Sequence, residues 1–231
     1  MTSDSYTFAK NSMSLYDIIN KRRDVRAQFT GESIDTNILK KILQAAHSAP
    51  SVGLSQPWDF ILIESESIRK QFKEHVEIER ESFNNVLDND RKGIFANIKI
   101  EGILESSLGI VVTYDPKRGS PAVLGRNTID EAGIYSVCLA IENLWLAATA
   151  ENLGVGWVSF YKEEFLAELI NLPNGIKPIA WLCVGPVTHL ETVPDLERFK
   201  WRKRMSLDDV VHYDSWNNRS LENKISDEKL D

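Results

Sequence analysis

The sequence predicts a mixed domain of helices and strands, and three observations predict it. Apolar residues recur at helical spacing through Ile34, Ile38, Leu39, Ile42, Leu43 and Ala46. Two short runs, Leu108–Tyr114 and Pro178–Val184, are apolar almost throughout and read as buried strands. No internal repeat or low-complexity tract divides the 231 residues, so one domain with loose ends is the economical division. Its limits are residues 1–13 as a flexible start, 14–214 as the domain, and 215–231 as a polar tail without apolar periodicity.

In chain order, Ser14–Ile19 reads as a short helix leading into Arg22-Arg23-Asp24-Val25-Arg26, which packs three arginines and one aspartate into five residues. Guanidinium groups offer forked donors that match phosphate oxygens, so the cluster suits an anion clamp. The bland alternative is a solvated turn with internal Arg–Asp pairing, and Asp24 points to a second task beyond phosphate binding. Asp35–His47 is a helix with Ser33 or Asp35 as cap. Ala49–Trp58 carries Pro50, Pro57, Gly53, Ser51 and Ser55 and reads as an ordered loop. Asp59–Glu64 is a short strand.

Ser67–Glu105 is charged and helical in pattern, with Phe72, Val76, Phe83, Val86, Phe95, Ile98 and Ile103 spaced along it and a break at Leu87–Asp90. It reads either as surface helices or as a lid insertion spanning about residues 66–105. A Pro/Gly loop at Asp115–Gly125 follows the Leu108–Tyr114 strand. Thr128–Glu131 has capping-box spacing and opens a helix to about Glu151. That helix is apolar on most sides, as a core or dimer-interface helix would be. Gly154-Val155-Gly156-Trp157-Val158-Ser159 approaches a dinucleotide fingerprint in its letters, but a helix precedes it and a strand follows, the reverse of a Rossmann glycine loop. Glu163–Ile170 is a short helix, Pro186–Lys200 is irregular, Trp201-Arg202-Lys203-Arg204 is a second basic cluster, and Ser206–Asp209 is a capped turn.

A net charge of -7 argues against a nucleic-acid partner. Cys138 and Cys183 lie far apart in apolar runs and read as two buried thiols in a reducing cytoplasm. His47, His75, His189 and His212 lack metal-ligand spacing, so no metal is expected. No N-terminal run has the pattern of a signal peptide, and the apolar stretch near Ile134–Ala150 is interrupted by Glu142 and Asn143, so no membrane association is expected.

Four pieces now stand in order: Arg22–Arg26, Pro50-Ser51 with Gln56-Pro57-Trp58, Gly154–Trp157, and Arg202–Arg204. Together they resemble the flavin-dependent nitroreductase family over about Leu15 to Tyr213. The resemblance implies an α+β fold, with a mainly antiparallel sheet flanked by helices, in an intertwined homodimer holding FMN at its interface. It assigns the FMN phosphate and ribityl chain to Arg22, Arg23, Arg26, Arg202 and Arg204, with Asp24 and Val25 in the same segment. It brings Ser51 and Gln56 to the flavin from the partner subunit, and sets the backbone of Val155 and Gly156 near the ring.

Typical members carry serine at the position of Asp24 and asparagine at that of Leu54. The aspartate, with Leu124-Gly125-Arg126, Glu142–Ala148 and Trp181–Gly185, is similar to one branch of the family. That branch uses dioxygen to fragment reduced FMN into 5,6-dimethylbenzimidazole and erythrose 4-phosphate, so FMNH2 is its substrate and a separate NAD(P)H-dependent flavin reductase supplies it. Such chemistry needs proton transfers at the ring. Asp24 is the candidate base, and Ser159 the candidate hydrogen-bonding group or proton relay beside the ring. The alternative is a conventional NAD(P)H-dependent nitro- or quinone reductase that retains its FMN.

Overall fold

The computed structural model describes residues 14–219. The expected loose start, residues 1–13, and residues 220–231 of the expected tail lie outside the described residues. α1 (Leu15–Lys21) opens on a capping box in which the Ser14 side chain accepts from the Asp17 N–H and the Asp17 side chain accepts from the Ser14 N–H. α2 (Thr36–His47) is capped by Asp35, whose side chain accepts from Asn37 and Ile38. After a 3-10 turn at Val52–Leu54 come β1 (Trp58–Ile63), α3 (Glu66–Asn85), α4 (Asn89–Phe95) and β2 (Leu108–Tyr114). α5 (Ala132–Ala150), β3 (Leu153–Val158), α6 (Glu163–Leu169), β4 (Lys177–Pro186) and α7 (Asp195–Arg198) complete the order.

The four strands form one sheet in the order β1-β2-β4-β3, antiparallel at every pairing. Antiparallel sheets commonly alternate apolar and polar residues, but β2 and most of β4 are buried on both faces. Leu108, Ile110 and Val112 of β2 and Ala180, Leu182 and Val184 of β4 face α2 and α5, against Ile42, Val137 and Leu144. Val111, Trp181 and Cys183 face the other way, into a core with Phe72 and Val76 of α3 and Leu166 of α6. Phe72 stacks on Trp181 with ring centroids 3.9 Å apart. This two-sided cover is why both central strands read as continuous apolar runs.

Several local expectations need correction. Helix stops at Phe95, and residues 96–107 cross without regular helix, where buried Arg69 donates to the carbonyls of Ile103 and Ser106. These bonds satisfy backbone that a helix would have satisfied internally. α5 begins at Ala132, with Glu131 as N-cap and no side-chain capping bond, so the spacing at Thr128–Glu131 does not open the helix. Pro186–Lys200 contains the short α7. Cys138 is exposed on α5, while Cys183 alone is buried. Tyr135 and Leu139 are exposed on the same helix, so its apolar surround is only partly covered within one chain. By length and composition Ala132–Ala150 could cross a membrane, yet half of it is buried and Asn143 donates to the Ala45 carbonyl of α2 at 3.2 Å.

Candidate active site

The site begins where α1 ends. Arg22 is the C-cap, and beyond it the chain runs extended along β3. Asp24 forms a parallel bridge with Val155, and the Val25 N–H donates to the Val155 carbonyl at 2.9 Å. This approach requires glycine at 156, because a Cβ there would lie 2.0 Å from the Val25 carbonyl oxygen. The glycine pattern therefore serves backbone-to-backbone packing. Val155 and Gly156, expected to present backbone to a ring, are buried beside the 24–25 segment and are not among the residues lining the cavity.

That packing aims Asp24. Its Oδ1 accepts from the Trp157 N–H at 3.0 Å, and its Oδ2 accepts from Arg26 Nη2 at 2.5 Å. The carboxylate is thus tied at both oxygens while its side chain keeps 39% of its surface exposed. The internal pairing considered for the cluster exists, with Arg26 ion-paired to Asp24. Ser159, one residue past β3, is exposed at the same cavity.

Arg23 lies on the opposite side of Asp24 in the chain. Its Nη1 donates to the carbonyls of Asn20 and Arg22, and its Nη2 donates to that of Thr192 at 2.6 Å. Its Nε is buried without a partner. Burial, and then the charges of Arg204 and Arg22, lower the pKa of this guanidinium from its ordinary range. Among the described residues Arg22, Arg23 and Arg204 form no ion pair with a carboxylate, and like charges gathered in this way suit an anion. Arg22 itself stacks over Trp145 at 5.0 Å, and the Trp145 indole N–H donates to the Arg23 carbonyl at 3.1 Å.

Arg23, Asp24, Val25, Arg26 and Ser159 line one cavity of about 590 Å³, within the ordinary size of a small-molecule site. Arg22, Ser51, Gln56, Val155, Gly156, Arg202 and Arg204 do not line it. The Ser51–Gln56 loop closes on itself through the Gln56 N–H to Ser51 Oγ bond at 3.0 Å. It is pinned to α5 by the Val52 N–H to Ser136 Oγ bond. Ser136 and the cavity-lining Trp145 are nine residues apart on α5, about 13 Å at helical rise. One chain therefore does not bring this loop to its own cavity.

The structure adds residues that were not expected at the site. Phe83, Phe95, Phe160 and Trp201 form an aromatic wall, with Phe83 5.2 Å from Phe95 and 5.6 Å from Phe160 between centroids. Phe83 and Phe95 were visible as apolar positions of the insertion, and Trp201 as the neighbour of a basic cluster. Gln28 and Glu191, hydrogen-bonded to each other at 3.2 Å, line it too, and nothing in the sequence signals their pairing across 163 residues. Among the described residues no cluster of His, Cys, Asp and Glu could hold a metal. The arrangement suits a ligand with a flat apolar body and an anionic end.

A nitroreductase-family model matches residues 19–186, most of the chain. The chain belongs to the nitroreductase family. Within that family it is 34% identical over 183 residues to the 5,6-dimethylbenzimidazole synthase of Rhodospirillum rubrum, covering 79% of this chain and 86% of that one. Among solved structures it resembles oxidized iodotyrosine deiodinase bound to FMN and 3-iodo-L-tyrosine, with TM-score 0.69 and 22% identity, over 88% of this chain and all of the other. It also resembles a BluB-like flavoprotein from Clostridium difficile 630, with TM-score 0.66 and 19% identity, over 88% and 100% of the two chains. At those identities the structural likenesses show the nitroreductase fold alone, and they agree with the antiparallel sheet and flanking helices described above.

Proposed function

We propose that this chain is a 5,6-dimethylbenzimidazole synthase, which uses dioxygen to fragment FMNH2 into 5,6-dimethylbenzimidazole and erythrose 4-phosphate. The observation that carries the reading is Asp24, a carboxylate fixed by the Trp157 N–H and Arg26 at the wall of an aromatic cavity. The likeness to the Rhodospirillum rubrum synthase supports it.

The residues fit FMN. The clustered positive charges of Arg22, Arg23 and Arg204 suit its phosphate, with Arg202 adjacent. Trp157, Phe160 and the facing aromatic residues suit the flat ring. Bound FMNH2 would supply both the electrons for dioxygen and the carbon skeleton of the product. Asp24 accepts and returns protons at the ring edge, its position held by two fixed hydrogen bonds. Ser159 donates a hydrogen bond beside it. The Ser67–Glu105 insertion supplies Phe83, Phe95 and Lys99 as a lid that keeps bulk water from the ring.

Two copies pair through the exposed apolar face of α5, where Tyr135 and Leu139 stand uncovered, and each copy receives Ser51 and Gln56 of the partner subunit. A separate NAD(P)H-dependent flavin reductase delivers FMNH2, and the setting is the cytoplasm.

The test is aerobic incubation with FMN, NADPH and an added flavin reductase, with products identified by mass. Dimethylbenzimidazole is the expected product. If NADPH alone reduces bound FMN, a nitroaromatic is turned over and no benzimidazole forms, the chain is a conventional reductase and the synthase reading is wrong.

A further inference from the structure

Two parts of the cavity wall that are 110 residues apart meet at a single side chain. Arg91 of α4 donates from Nη1 to the Trp201 carbonyl at 2.9 Å, and its guanidinium lies 4.8 Å over the Trp201 ring. It thus holds both the backbone and the indole of the residue that begins the basic arm, residues 201–204. The Trp201 ring also packs on Phe83 and Phe95, at 6.3 and 6.1 Å between centroids, and all three rings line the cavity. Three residues beyond Trp201, Arg204 is close enough for its charge to act on Arg23. The arm has no regular secondary structure at 202–206, and α4 is only seven residues long. Neither segment is held by a strand ladder, so a contact between them has leverage over both.

We propose that Arg91 is a positioning residue that couples the basic arm to the aromatic lid, so that the phosphate of the bound flavin, and not its ring alone, closes the lid. The proposal rests on the reading of the cavity as a site for FMN. An anion gathered by Arg23 and Arg204 fixes the arm, the arm fixes Trp201, and Arg91 passes that order to α4. Coupling of this kind is reciprocal, so lid closure strengthens phosphate binding by the same factor. Riboflavin, which has the ring and no phosphate, then enters the cavity and leaves the lid open.

Amide hydrogen exchange on the full chain tests this, with FMN, with riboflavin and without ligand, for wild type, Arg91→Lys and Arg91→Ala. In wild type, FMN slows exchange over residues 89–95 by about tenfold or more, and riboflavin at saturation does not. Arg91→Ala keeps FMN protection at residues 23–26 and loses it at 89–95. Arg91→Lys, which keeps a cation over the indole, retains part of it. Equal protection of 89–95 by both flavins in wild type overturns the proposal without reference to any variant. Unchanged protection in Arg91→Ala also overturns it. If neither flavin protects residues 23–26, the flavin site itself is wrong and the proposal falls with it.

Discussion

On one side of the cavity, Asp24 and Val25 are bonded to the backbone of β3: Val25 N–H to Val155 O, and Trp157 N–H to the Asp24 side-chain Oδ1. On the other, Phe83, Phe95 and Trp201 are held by rings, by Arg91 and by Arg80 lying 5.4 Å over Phe95. The first wall has one geometry, because a shift of the 24–25 segment breaks bonds to a strand paired along its length with β4. The second can loosen one side chain at a time, since its individual ring and cation contacts are each worth only about 0.5–1.5 kcal/mol. A group that must meet a reacting atom belongs on the first. A surface that must open and close belongs on the second.

The sharpest way to break this contrast is at Asp24. Asp24→Asn can still accept from Trp157 N–H through its amide oxygen but is no longer a base. Product formation should fall by about 10²–10⁴-fold, with FMN affinity changed by only a few fold, measured by product mass and by quenching of flavin fluorescence. Undiminished product would reduce the rigid wall to scaffold. Next is Gly156→Ala, whose Cβ would stand 2.0 Å from the Val25 carbonyl oxygen. It should lose about 2–3 kcal/mol in urea unfolding and displace Asp24, while Phe83→Leu on the opposite wall, a volume-reducing but still apolar change, should lose less. Equal losses would show that the two walls do not differ in stiffness.

Arg204→Ala should weaken FMN by about tenfold, or ~1.4 kcal/mol, and leave riboflavin unchanged, as titration calorimetry would show. The smallest effect should come from His75, whose Nε2 accepts from the Lys162 N–H and whose ring stacks on Phe165 at 3.9 Å. Burial lowers its pKa from 6.5, outweighing Glu79, which raises it, while Lys162 also lowers it. The unfolded chain therefore binds this proton more readily than the folded one. The stability it contributes is whole above pH 6.5 and is lost as pH falls through the folded value, so the melting temperature of His75→Gln should decline less steeply toward acid than that of wild type.

The strands and principal helices were legible because their apolar patterns are local. β2 was expected at Leu108–Tyr114 and lies there, and α2 was expected at Asp35–His47 with Ser33 or Asp35 as cap and runs Thr36–His47 with Asp35 capping it. The two-sided burial of the sheet was legible in the same way, as runs without alternation. The membership in the nitroreductase family was legible from four short motifs in order. The end of helix at Phe95 was not, because the carbonyls of Ile103 and Ser106 in the segment that follows are satisfied by Arg69, a partner more than 30 residues away along the chain.

At the site the division is the same. Which chemical groups are present can be read along the chain: arginines in two clusters, a carboxylate between two of them, a serine after a glycine-rich strand, aromatic residues in an insertion. What each group does with its partners was set by the folded arrangement. It paired Arg26 with Asp24, left Arg23 Nε without a partner, filled the space over Gly156 with Val25, and set Trp201 under Arg91. Composition and periodicity are properties of neighbours in the chain. Hydrogen bonds and ring contacts depend on ångström-scale approach between segments that the fold alone brings together.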